Sequence, residues 1–69
     1  MRIETIRYKR SHNKNPWGFG KWAFDFETTE GRVTLAVPEP MDYLSAKTWA
    51  IRQAHAMPNM DSDQIFVAP

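Results

Sequence analysis

Residues 21–37 read KWAFDFETTEGRVTLAV, and this stretch decides the fold. Across residues 21–28 the large apolar and the polar side chains alternate, with Trp22, Phe24 and Phe26 on one face and Ala23, Asp25 and Glu27 on the other. Successive side chains of an extended backbone point to opposite faces, so a period of two predicts a half-buried strand. Thr29, Glu30 and Gly31 follow as a turn, with Gly31 able to take the positive φ that short hairpin loops demand. Residues 32–37 alternate again and are expected to turn Val33, Leu35 and Val37 inward. Residues 21–37 therefore form a β-hairpin.

Working toward the C-terminus, Pro38 and Pro40 end the hairpin, because proline donates no ladder hydrogen bond and biases its predecessor away from helix. Asp42 is placed to cap a helix that runs to about Met57 and stops before Pro58. At roughly 100° per residue, Tyr43, Leu44, Ala46, Ala50, Ile51, Ala54 and Met57 share one broad stripe, with the stem of Lys47 packed along it. Trp49 and Arg52 fall outside the stripe. After a polar turn over residues 59–63, residues 64–67 read as a brief final strand.

Working toward the N-terminus, residues 2–8 carry β-branched side chains in loose alternation and read as a short strand. Residues 11–20, SHNKNPWGFG, are rich in Asn, Gly and Pro without a period, and read as a flexible basic loop with an unusual aromatic content. The expectation is a single α+β domain over residues 1–69: a small antiparallel sheet of three to four strands with one helix packed on one face, in the order β-loop-ββ-α-β.

A chain of 69 residues buries about 60% of the surface exposed when it is unfolded, so its four Phe, three Trp and two Tyr must serve the core. The absence of cysteine excludes disulfides, thiolate zinc sites and cysteine nucleophiles, and suits a reducing cytoplasm. No stretch is long and apolar enough to span a membrane, and residues 1–10, basic but without a following hydrophobic run, do not read as a secretory signal. The net charge is only +1 but is unevenly distributed. Residues 1–21 carry six cations against Glu4 alone, a net of +5, and the remainder carries three cations against seven acids, a net of −4. Such polarity steers charged partners at low ionic strength.

No spacing for a metal site, a phosphate loop or a nucleophile with its base occurs, so neither catalysis nor a cofactor is expected. His12 and His55 are the only histidines, one in the loop and one on the helix. Asp25, Glu27 and Glu30 cluster about the hairpin, where their use is electrostatic, as an acidic face for a basic protein surface. Trp49 with Arg52 is the pairing most enriched at interface hot spots, although a tryptophan in so small a domain is equally a core residue. Lys9, Arg10, Lys14, Trp17, Phe19 and Lys21 combine cations for phosphate with aromatics for stacking, the composition of single-strand nucleic-acid binders.

Two resemblances add to this. The hairpin GKWAFDFETTEGRVTLAV followed by a helix resembles the three-stranded DNA-binding domains of plant ethylene-response factors and of tyrosine-integrase arms. That resemblance implies DNA reading by the sheet face opposite the helix, which here carries Asp25 and Glu27. Residues 22–69 resemble the small podophage inhibitors of bacterial RNA polymerase through Trp22 and Ala23, the acidic turn from Glu27 to Glu30, the alanine-rich helix with Trp49, and the terminal Val67, Ala68 and Pro69. Residues 64–67 lack the arginines of the basic strand that those inhibitors carry.

The expectation for function is a small non-enzymatic protein-binding module, phage or prophage encoded, acting in the cytoplasm of a bacterial host. It would inhibit or modulate a host protein or protein complex such as RNA polymerase through Asp25, Glu27, Glu30, Trp49 and Arg52. The alternative is a nucleic-acid-binding module using the basic aromatic N-terminal region, and a virion or assembly component is a third reading. The oligomeric state is left open.

Overall fold

The structure, a computed structural model, describes residues 1–69 in the order β1 (Arg2–Glu4), α1 (Ile6–His12), β2 (Phe19–Gly20), β3 (Ala23–Thr28), β4 (Gly31–Ala36), β5 (Met41–Asp42), α2 (Tyr43–Ala56) and β6 (Met60–Val67). The expected hairpin is β3–β4, antiparallel, with Phe24 opposite Leu35, Asp25 opposite Thr34 and Glu27 opposite Arg32. Its turn closes as the alternation required. Gly31 takes φ +116°, which a residue with a side chain adopts only under strain, and the Thr28 hydroxyl donates to the Gly31 carbonyl at 2.6 Å. Strand β6 pairs antiparallel with the other side of β3, and the sheet order is β1-β6-β3-β4.

The alternation of β3 delivers its apolar face to the core. Trp22, Phe24 and Phe26 are buried there with Ile65 and Val67 of β6, Val37, and Tyr43, Ala46, Ala50 and Ala54 of α2. Asp42 caps α2 as expected, its carboxylate accepting from the Leu44 amide at 3.0 Å. Alanines at the buried helix positions remove side-chain bulk and let the helix lie close to the phenylalanines beneath it.

Several expectations are corrected. First, residues 2–8 are not one strand, since β1 stops at Glu4 and α1 follows. Helix α1 has only 7 residues and no side-chain N-cap, too few for autonomous stability. It is held by Tyr8, buried in the core and stacked on His12 one turn later with ring centroids 4.1 Å apart. Asn13 ends it in the left-handed conformation, φ 57°, donating its amide to the Lys9 carbonyl. Second, the sheet is mixed, because β1 runs parallel to β6 with Arg2 opposite Gln64 and Glu4 opposite Phe66. Third, the last strand begins at Met60, and the polar run read as a turn is a strand with Asp61 and Asp63 exposed on alternate positions.

Fourth, Val33 is exposed and Leu35 half-buried, although both were expected inward. Strand β4 is the edge of the sheet and α2 packs on β5 and β6, so only Val37, beyond the strand, reaches full cover. Leu44 likewise leaves its expected stripe. The buried line runs through Tyr43, Ala46, Ala50 and Ala54, and Leu44 stands about 100° around the helix from Tyr43, with the residue 52% exposed.

The segment read as a flexible loop is tethered. Its first two residues, Ser11 and His12, belong to α1, and Phe19 and Gly20 form β2, which pairs with β5. Pro16 is buried. The Gly18 carbonyl accepts both the Tyr43 amide at 2.9 Å and the Trp22 indole N–H at 3.0 Å.

Candidate functional site

Asp25 was expected on an open acidic face, and the structure corrects this. Its side chain is almost wholly enclosed, with the residue 3% exposed, on the sheet face opposite the core. Arg7 of α1 donates to Oδ2 at 2.5 Å and the Thr34 hydroxyl to Oδ1 at 2.5 Å. Both carboxylate oxygens are thus engaged, and Asp25 offers nothing to a partner. It is a clamp between α1 and the hairpin. Glu27 is also committed within the domain, pairing across the strands with Arg32 at 2.8 Å, although this pair stands in solvent. Glu30 is exposed at the hairpin tip, where it accepts from Asn59 at 3.3 Å. With Asp61 and Asp63 it makes one end of the sheet acidic.

Trp49 and Arg52 are brought together, and Trp49 is at once a core and a surface residue. It is half-buried, its ring tilted against Phe24 with centroids 6.4 Å apart, and it also lines an outward groove with Arg52. The groove encloses about 500 Å³ on the solvent side of α2, and Met41, Leu44, Ser45 and Thr48 complete it. Leu44 was assigned to the core by its spacing, and its exposure here is what gives the groove an apolar wall.

The opposite end of the sheet is basic. Of the six N-terminal cations, Arg2 pairs with Glu4 at 2.7 Å, and that hydrogen bond and the Glu4 charge hold the Arg2 guanidinium above its ordinary pKa. Arg7 is held by Asp25. Lys9, Arg10, Lys14 and Lys21 make no ion pair and are exposed. Trp17 is 71% and Phe19 77% exposed, the two most exposed large apolar residues of the molecule, and Phe19 shares a cavity with Lys21. Gly18, between Trp17 and Phe19, has φ +91°, and its doubly bonded carbonyl fixes the backbone that displays both rings.

Behind Phe19 lies a cavity of about 320 Å³ lined by Tyr8, His12, Lys21 and Trp22, and by Ala68 and Pro69. An aromatic column leads into it: Tyr43 meets Trp22 edge-on at 5.0 Å, Trp22 meets Tyr8 at 5.5 Å, and Tyr8 carries His12. Burial raises the Tyr43 phenol above its ordinary pKa. Tyr8, His12 and Tyr43 were not recognised as neighbours in the sequence. The four-residue spacing of Tyr8 and His12 is the signal that identifies them once residues 6–12 are read as helix. His55 stands exposed in the last turn of α2, and no three histidine or carboxylate side chains gather in a metal-ligating cluster.

The two charged ends are separated by the length of β3, about 20 Å for its six residues at ~3.3 Å each. That is about twice the Debye length at 0.1 M salt, so the exposed charges of the two ends are largely screened from each other. The fold and these surfaces define a small α+β domain with a basic aromatic end, an acidic end and a helix-borne groove, and none of its helices is long and apolar enough to cross a membrane. Comparison with protein-family models, with curated proteins and with solved structures gives no match to this chain.

Proposed function

We propose that this domain is a non-enzymatic protein-binding module that inhibits or modulates a host macromolecular machine, with bacterial RNA polymerase as the first candidate and the bacterial cytoplasm as its place of action. The observation that carries the reading is the groove on α2, where Trp49 and Arg52 converge with exposed Leu44 and with Met41. Tryptophan and arginine beside an apolar wall are the residues that dominate interface energetics. Trp49 is also anchored on Phe24, so little side-chain freedom remains to be lost on binding. The resemblance of residues 22–69 to podophage polymerase inhibitors supports the same reading, and the acidic end, with Glu30, Asp61 and Asp63, supplies long-range steering toward a basic surface.

The test is retention of purified core RNA polymerase, and of bacterial lysate proteins, on the immobilised domain. Leu44→Glu and Arg52→Glu lie on the outward face and leave the core intact, unlike any change at Trp49. Each is expected to weaken retention by about 30-fold, the effect of losing one hot-spot residue. A domain that retains no stoichiometric protein, or one whose retention is untouched by the double variant, removes the proposal.

A further inference from the structure

We infer that the basic aromatic end is a binding site for single-stranded nucleic acid, formed by Trp17, Phe19, Lys9, Arg10, Lys14 and Lys21, and independent of the α2 groove. Three observations converge on it. Residues 5–24 contain no acid, and once Arg7 is taken up by Asp25 their remaining four cations have no partner within the molecule. Two aromatic rings that would bury well in a core are instead more than two-thirds exposed, on a backbone fixed at Gly18 and in the β2–β5 ladder. The cavity beside Phe19 has aromatic walls in Tyr8 and Trp22, a cation at its mouth in Lys21, and room for one base.

The chemistry selects the ligand. Lysine and arginine attract phosphate, and their attraction is not specific to strand number. Exposed indole and phenyl faces add stacking, which only unpaired bases can accept because duplex bases are already stacked on each other. An acidic protein segment would satisfy the four cations but would leave Trp17 and Phe19 in water. Phosphates would lie along Lys9, Arg10, Lys14 and Lys21, one base would stack on Trp17, and another would enter the cavity over Phe19.

The experiment is fluorescence anisotropy of a short labelled oligothymidylate and an oligouridylate titrated with the domain, with a duplex of equal length and polyglutamate as competitors. Binding at low salt is expected, weakening as salt rises with a log–log slope of about −3, since each of four neutralised phosphates contributes about −0.7 on a single strand. Trp17→Ala and Phe19→Ala are each expected to weaken binding on the order of ten-fold without lowering the thermal midpoint, because each deletes one stacking surface and neither is in the core. The duplex is expected to compete at least about ten-fold less well than the single strand, having lost the stacking contribution.

Absence of binding at low salt overturns the inference. So does a duplex that binds equally well while both aromatic variants bind as the parent does, which is attraction to phosphate alone. Displacement of the oligonucleotide by polyglutamate at equal charge reassigns the site to an acidic protein segment and overturns it as well. The Leu44→Glu, Arg52→Glu double variant is expected to keep full oligonucleotide affinity, so failure of this site and failure of the groove are read separately.

Discussion

The two charged regions of this domain carry similar numbers of ionised groups but use them in opposite ways. At the hairpin, Asp25 is locked by Arg7 and Thr34 and Glu27 by Arg32, so acids that look like a surface patch in the sequence are largely structural. At the other end, Lys9, Arg10, Lys14 and Lys21 are unpaired and exposed, and so are the rings of Trp17 and Phe19 in the same stretch of chain. Charge counts therefore misjudge which pole is available. Arg7 is the residue that sets the difference, since it leaves the basic segment to neutralise the acid of the hairpin.

The largest effect on this comparison comes from Arg7→Ala. It leaves the Asp25 carboxylate enclosed with only the Thr34 hydroxyl, and unpairing an enclosed carboxylate from a partner that is itself about a third exposed costs about 2 kcal/mol. Urea denaturation is expected to show that loss, and a parent-like midpoint would mean that Asp25 is solvated in solution. Next, Asp42→Ala removes the α2 cap and is expected to cost about 1 kcal/mol, read in the same way.

Alkaline pH gives a further test of the aromatic column. Because burial raises the folded pKa of Tyr43 above its ordinary value of 10.0, the stability it contributes is complete below about pH 10 and is lost as pH rises through the folded value. Unfolding free energy measured from pH 9 upward is expected to fall, and Tyr43→Phe to flatten that fall. The smallest effect belongs to the exposed pair: Glu27→Ala is expected to change stability by less than about 1 kcal/mol, and raised salt to shrink even that. Should Glu27→Ala cost as much as Arg7→Ala, the contrast between an enclosed and a solvated acid fails.

Much of the fold was legible because it rests on local pattern. The alternation around Phe24 and Phe26, the turn at Gly31 and the cap at Asp42 are each written within a few residues. Helix α1 was not legible, because seven residues with β-branched Ile6 at their start have no strong helical preference and depend on burying Tyr8. The parallel pairing of β1 was hidden for a similar reason, since its partner β6 lies about sixty residues away in sequence. Among the candidate site residues, Trp49 and Arg52 share one groove and Trp17 and Phe19 are exposed, both arrangements that composition and spacing alone left undecided. Leu44 was misplaced by an overly broad stripe, and Asp25 was misread as a surface acid.

The sequence by itself determined the hairpin, the capped helix and the acid-free run of residues 5–24, because period, turn chemistry and charge order are properties of neighbouring residues. Only the tertiary structure decided which charges and rings remain free. The pairing of Arg7 with Asp25 spans eighteen positions, and the exposure of Trp17 and Phe19 depends on where Gly18 is tied to Trp22 and Tyr43. Availability to a partner is what is left after such long-range contacts have formed, and no local pattern encodes that remainder.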